Sequence, residues 1–328
     1  MRILALLGLL LAPGAAGAAP ERLAVGAISR DGQITLTPAF SPDGQTAWFA
    51  QSDCTDIGDC PQRLTISRKV DGRWTPGQRV ALPGDGPAAN GAPSRVDDPS
   101  VSPDGRSLLF AWSVARADKA VLGPTEDFDL YRWEFARPGA VPVPLDMADI
   151  NRPRAGRIAR IGYIHNETAP RLTTAGDLYF WTERPDGVGD RDVFVAPADG
   201  KAGFQRARPL PAPINSPGFD TLGYVSPDGG TMLLGYVGRG GSGGTDLFVS
   251  VKRDGRWQPP VNLGPAVNSD ADDFAPTLTP DGKSLVFAST RAFPGQRRGL
   301  LQVWTVPVAD IPALRSLVRT LGSYRGRR

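Results

Sequence analysis

Three carboxylates recur at one offset from a repeated turn. Glu167, Asp220 and Asp273 each stand six residues before a Ser or Thr that opens the turn. In the matching stretch before Ser102, the carboxylates are Asp97 and Asp98, one and two places later. Carboxylates brought together from equivalent positions suit a cation or a basic peptide, and capping of solvated turns is the simpler role for the same residues. His165, in "YIHNETAP", is the only histidine, so a site with several His ligands is excluded. It lies close to Glu167 in sequence and joins the carboxylates as a candidate binding residue.

Other reactive-looking residues read as structure. The stretch "SPDGQTAWFA" at Ser41 returns as "SPDGRSLLFA" at Ser102, "SPDGGTMLLG" at Ser226 and "TPDGKSLVFA" at Thr279. In each, Pro presets φ and Asp (Asp43, Asp104, Asp228, Asp281) bonds local backbone. Gly44, Gly105, Gly229 and Gly282 supply the left-handed position that ends the turn. All four residue types are accounted for without catalysis. In "VGRGGSGGTDLF", Gly240–Gly244 fits G-x-S-x-G, and Gly238, Gly240 and Gly243 fit G-x-G-x-x-G. Both motifs need a following helix, and an alternating, strand-like run follows instead. Cys54 and Cys60 are the only cysteines, close together in the polar "DCTDIGDCPQ". In an oxidising compartment they are expected to form a loop-closing disulfide, and without a nearby His they make a poor metal site.

The compartment is read from the N-terminus. Arg2, the apolar "ILALLGLLLA" and the small-residue "AGA" at Ala16–Ala18 have the pattern of a signal peptide, too short to span a bilayer. An exported protein, periplasmic or secreted, is expected. Composition fits a globular chain: 328 residues, 41% hydrophobic and 22% charged, with 39 Gly and 32 Pro spread along it. A formal charge of +3 gives no electrostatic case for nucleic acid.

The elements that position these residues are repeats. The anchors Ser41, Ser102, Thr173, Ser226 and Thr279 define five units, the third degenerate with Ala175 in place of Asp. Pro38, Pro99, Pro170, Gly223 or Pro276 precedes each anchor by three residues. A strand leads into each turn, and an apolar strand such as "SLLFAW" follows it. A third strand opens "DLY", "DVF" or "DLF", and an Asp-Gly hairpin in "DGRWTPGQRVAL" and "DGRWQPPVNL" introduces the fourth. Prolines in that last strand place it at a sheet edge. Four antiparallel strands repeated about an axis make an all-β propeller, with five blades expected and six as the alternative count. "RLAVGAIS" (Arg22–Ser29) resembles "NLGPAVNS" and is expected to complete the last blade, closing the ring. The expected organisation is signal peptide 1–18, propeller 19–310 and C-terminal helix with basic tail 311–328. In that helix Leu314, Leu317, Val318 and Leu321 share a face.

The "SPDG" turns, the preceding Pro, the "DLY/DLF" strands and "DGRWQPPVNLGPAVNS" resemble the TolB-like, WD40-like β-propeller repeats of exported bacterial proteins. The resemblance spans Arg22 to Val308 and implies a periplasmic propeller that binds a protein partner at the cell envelope; a monomer is expected. Repeats begin soon after the leader, without a separate N-terminal α/β domain. The expected function is non-enzymatic binding of a protein or peptide on the face that carries His165, Glu167, Asp220, Asp273, Asp97 and Asp98. No cofactor is expected, although a structural cation fits the carboxylates. The alternative is a carbohydrate-active enzyme with paired carboxylates at the channel mouth. A calcium-stabilised propeller without a ligand is a third reading.

Overall fold

The computed structural model describes residues 19–55, 61–87, 91–116, 128–151, 166–296 and 298–315. These residues form five antiparallel sheets arranged as the blades of a β-propeller. Blade one holds Ile34–Thr35, Ala39–Phe40, Thr46–Ser52, Arg63–Val70 and Gln78–Arg79. Blade two holds Val96–Val101, Leu108–Trp112, Asp129–Trp133 and Val143–Pro144. Blade three holds Glu167–Leu172, Leu178–Thr182, Asp192–Ala196 and Arg208–Pro209. Blade four holds Asp220–Val225, Thr231–Val237, Thr245–Arg253 and Val261–Asn262. Blade five holds Asp273–Leu278, Ser284–Ser289 and Gln302–Pro307, with Glu21–Arg22 as its outermost strand.

The N-terminus therefore closes the ring, with Glu21 opposite Thr305 and Arg22 opposite Trp304. The pairing starts one residue earlier than the repeat pattern predicts and is shorter. Ala24 at φ 46° and Gly26 at φ 85° break the extended backbone, so the rest of Arg22–Ser29 turns toward blade one. The segment still ties in at both ends. Leu23 N–H and the Ser29 hydroxyl both donate to Val303 O, at 2.9 and 3.1 Å.

Why these sequences form blades is visible in their packing. The second strands are short continuous apolar runs, and all of Leu108–Trp112 is buried because a blade packs on each face. Five apolar clusters fill the spaces between neighbouring blades. Between blades two and three, for example, Leu109 and Leu130 meet Phe180 and Phe194. The short fourth strands carry Pro144 and Pro209 at the rim, where no further strand needs their missing N–H. The Asp71-Gly72 and Asp254-Gly255 hairpins have positive φ at both residues (48° and 76°, 49° and 75°).

Four innermost strands carry a register shift midway, at Asp97/Ser100, Thr168/Arg171, Leu222/Tyr224 and Phe274/Thr277. At three of them the bulged residue has positive φ: Asp98, Ala169 and Ala275. Blade four instead has Gly223, where a Cβ would lie 2.2 Å from Cδ and 2.5 Å from the carbonyl oxygen of Pro276. The strands approach closely here, which is why glycine replaces the proline of the other units. Residues 312–315 form a single helical turn after the last blade. Among the described residues no helix is long and apolar enough to cross a membrane.

Candidate functional site

At one end of the channel, each loop entering blades three to five is fastened by an asparagine. Asn151 Oδ1 accepts from Leu130 N–H at 2.7 Å, and its amide donates back to Leu130 O at 2.9 Å. Asn215 holds Val193 and Asn268 holds Leu247 in the same two-way manner, at 2.8–3.0 Å. An arginine just beyond the second strand then bonds the carbonyl of the residue before each asparagine: Arg184 to Ile150, Arg239 to Ile214 and Arg291 to Val267. Each of these bonds ties one blade to the loop from its predecessor.

The carboxylates predicted from the repeat sit beneath this layer. Glu167, Asp220 and Asp273 each open an innermost strand and are at most 1% exposed. Glu167 Oε1 accepts from Arg184 Nε and Nη2 at 3.1 and 3.0 Å. Asp273 accepts from Arg291 at 2.6 Å and from the Ser269 N–H and hydroxyl. Asp220 accepts from the Ser216 N–H and hydroxyl, and burial pushes its carboxyl up to about 6. These three are buried and held by the chain itself, where the sequence reading expects them on a binding face. Asp220 and Asp273, first in their strands, accept from the Ser216 and Ser269 loops that lead into them. His165 lies outside the described residues, as do Cys60 of the expected disulfide and most of the loop between the second and third strands of blade two.

Asp97 and Asp98 occupy a different level, the bulge in the middle of the channel. Burial, and then the adjacent Asp98, push the Asp97 carboxyl up to about 7. Burial also raises Asp98, against the pull of Arg171 and Arg191. Arg171 crosses the channel at this level. Its Nε donates to Gly223 O at 2.6 Å and its Nη1 to Pro170 O and Asp98 O at 2.9 and 3.2 Å. Its Nη2 lies 3.9 Å from Asp98 Oδ1. One guanidinium thus joins the inner strands of blades two, three and four. Nothing in the repeat marks Arg171, whose equivalents in the other units are Ala39, Ser100, Tyr224 and Thr277.

At the opposite end the channel widens into a cavity of about 840 Å³, lined by the inner strands and turns of all five blades. Its walls are mostly apolar, with Phe40, Pro99, Leu172, Tyr224 and Leu278 prominent, and Arg171 lies at its inner end. Val308 and Leu314, from the segment after blade five, also line it. Thr37 Oγ1 is buried in this wall without a hydrogen-bond partner. The carboxylates here, Asp228 and Asp281, belong to the repeated turns. Asp228 Oδ1 accepts from the Ser226 hydroxyl and Gly230 N–H, and Asp281 Oδ1 from the Thr279 hydroxyl and Lys283 N–H. Asp43 and Asp104 make the same pair of bonds in blades one and two. The Ser or Thr hydroxyl, followed by the backbone N–H, holds Asp43, Asp104 and Asp281 below the usual carboxylate range. The cavity is therefore equipped for apolar contact rather than for proton transfer.

The Gly240–Gly244 loop is also explained by packing. Asp246, second in the following strand, accepts from the N–H groups of Ser242 and Gly243 at 3.0 and 3.3 Å. A Cβ at Gly243 would fall 1.9 Å from Ala271 O. Strand Thr245–Arg253 follows, so neither glycine motif has the helix it needs. Among the described residues, no group of three His, Cys, Asp or Glu side chains could hold a metal ion.

No protein-family model matches the chain, and no curated protein is similar to it. Solved structures of similar fold do exist. TolB from Acinetobacter baumannii is 16% identical, with a TM-score of 0.45, over 83% of this chain and 54% of that one. The present chain thus spans about half the length of that protein. A family 117 glycoside hydrolase from the marine bacterium Zobellia galactanivorans is 13% identical over 89% of this chain and 90% of its own, with a TM-score of 0.49. The catalytic domain of the GH62 α-L-arabinofuranosidase of Coprinopsis cinerea is 11% identical over 88% of this chain and 96% of its own, with a TM-score of 0.51. At such identities the likeness is one of fold alone.

Proposed function

We propose that this protein is a non-enzymatic binding protein of the cell envelope, exported by its N-terminal leader. It takes an apolar segment of a protein or peptide partner into the cavity at the turn end of its channel. The observation that carries this reading is the cavity itself: about 840 Å³, mostly apolar, built by all five blades, its carboxylates committed to turns. Cavities of this size and polarity are the usual seats of ligands. The test is a photo-crosslinking side chain at Leu278 in cells, with the exposed Val261 on the outer strand of blade four as control. A discrete protein adduct at Leu278 alone is expected. No adduct at Leu278, or equal adducts at both positions, refutes the reading.

A second reading, a glycoside-cleaving enzyme, draws on the adjacent Asp97 and Asp98, of which Asp97, with its carboxyl pushed up to about 7, would suit proton donation near neutral pH. Turnover of a nitrophenyl glycoside that is abolished by Asp97→Asn would establish it in place of the first.

A further inference from the structure

The inner end of the cavity bears on what enters it. In blades two to five the innermost strands line the cavity only beyond their bulges, starting at Pro99, Arg171, Tyr224 and Thr277. The cavity thus stops at the level where Arg171 reaches the Asp98 and Gly223 carbonyls of the blades on either side. Its charged lining residues are Arg171, Asp228 and Asp281, and both carboxylates sit in the turns at the mouth. The charge at the inner end is therefore positive. Nε and Nη1 of Arg171 donate to carbonyls, whereas Nη2 makes no hydrogen bond among the described residues and has Asp98 Oδ1 at 3.9 Å. Burial pulls the guanidinium down from its usual value and pushes Asp97 and Asp98 up, toward their neutral forms. The acids behind this buried cation thus balance it incompletely. The walls also offer main chain. Each of these innermost strands pairs on one side only, leaving backbone groups along the channel.

We infer that the cavity receives the C-terminal end of a partner protein, its α-carboxylate against Arg171 Nη2 and its last apolar side chains against Phe40, Leu172 and Leu278. This rests on the reading of the cavity as the partner's site and adds which part of the partner enters it. A free N-terminus would set an ammonium group against the guanidinium. An internal segment would have to double back inside the cavity and would bring no charge. A chain end needs the width of one strand and supplies the missing anion, in a charge-assisted hydrogen bond. Its backbone can also pair with the open strand edges, which a lipid carboxylate with a plain hydrocarbon tail cannot do.

The test offers the full chain a library of short fluorescein-labelled peptides whose last three positions are drawn from Ala, Val, Leu, Ile and Phe. One copy of the library carries a free C-terminal carboxylate and the other a C-terminal amide. Peptides with the free carboxylate are expected to be retained, and their amides to bind about tenfold to hundredfold more weakly, the worth of one hydrogen bond to a charged group. Arg171→Gln should bind both forms equally, and Arg171→Lys should keep part of the preference. Because Arg171 also holds three carbonyls, the acid-to-amide comparison on the wild-type chain decides if the Gln variant does not fold. No retained peptide, equal retention of acid and amide, or an acid preference that survives in Arg171→Gln overturns the inference. Retention of dodecanoate where no peptide is retained would make a lipid the occupant and also overturn it. The two readings fail separately. An adduct at Leu278 that maps to an internal segment of the partner sinks only this inference, whereas acid-selective peptide binding without an adduct in cells sinks only the partner reading.

Discussion

Glu167 separates a structural carboxylate from a ligand-binding one, and Glu167→Gln is the perturbation that decides. Glu167 and Arg184 side chains are both fully buried. In the variant, the guanidinium keeps the carbonyls of Asp149 and Ile150 but loses its counter-charge. Removing one partner of a buried ion pair costs about 3–5 kcal/mol, because the other charge stays buried and uncompensated. A domain of this size loses about 2–4 °C per kcal/mol, so the melting temperature should fall by roughly 10 °C. Calorimetry measures the shift, and urea unfolding should show a lower midpoint with unchanged slope. The double variant Glu167→Leu/Arg184→Met removes both charges and should be more stable than Glu167→Gln alone. A melting temperature within about 2 °C of wild type would refute the structural assignment. So would a double variant less stable than the single one. Loss of partner capture with unchanged stability would instead make Glu167 a binding residue.

Asp97 gives a pH-dependent prediction. Its carboxyl is raised in the folded protein from 3.8 to about 7, so its contribution to stability is greatest below about pH 4. That contribution is lost as pH rises through about 7. Asp97→Asn, which stays neutral, should match wild type below about pH 4 and exceed it by a margin that grows to about 4 kcal/mol at pH 8. A stability difference independent of pH in urea titrations would count against this. Gly223→Ala should cost about 2–3 kcal/mol in thermal melts, since its Cβ meets the backbone and ring of Pro276. A neutral result would mean the channel wall yields at that point. Asn268→Ala should leave Leu247 N–H buried without a partner, costing about 1–3 kcal/mol. It should also speed hydrogen exchange of that amide, and unchanged protection of Thr245–Arg253 would contradict the role given to Asn268.

The blade was legible in the sequence because its turns rest on local chemistry. A Ser, Pro, Asp and Gly in order suffice for the turn, and the apolar run after it names the strand that packs on both faces. The last strand was placed from the likeness of "RLAVGAIS" to "NLGPAVNS", and Ser29 bonds Val303 O much as Asn268 bonds Leu247 O. That asparagine had a signal that went unread: Asn151, Asn215 and Asn268 each follow Ile or Val, five or six residues after a Leu. Arg184, Arg239 and Arg291 were also readable, each soon after a second strand. The cavity was harder to see. It is made of residues unremarkable alone, converging from five blades, and it lies at the end of the channel opposite the carboxylates. Arg171 was invisible for a related reason, since its value lies in carbonyls from three separate strands.

The strand at Glu21–Arg22 has a consequence for how the molecule comes into being. Its partner, Gln302–Pro307, is synthesised about 15–60 s after it at ordinary elongation rates. Until then the first residues have nowhere to pair, and blade five lacks its outer edge. Contacts between distant parts of a chain also form slowly, because loop closure precedes any gain. Completion of the ring thus requires that synthesis has passed the strand Gln302–Pro307. A chain cut short before residue 302 lacks Gln302–Pro307 and leaves Glu21–Arg22 without the strand it pairs with.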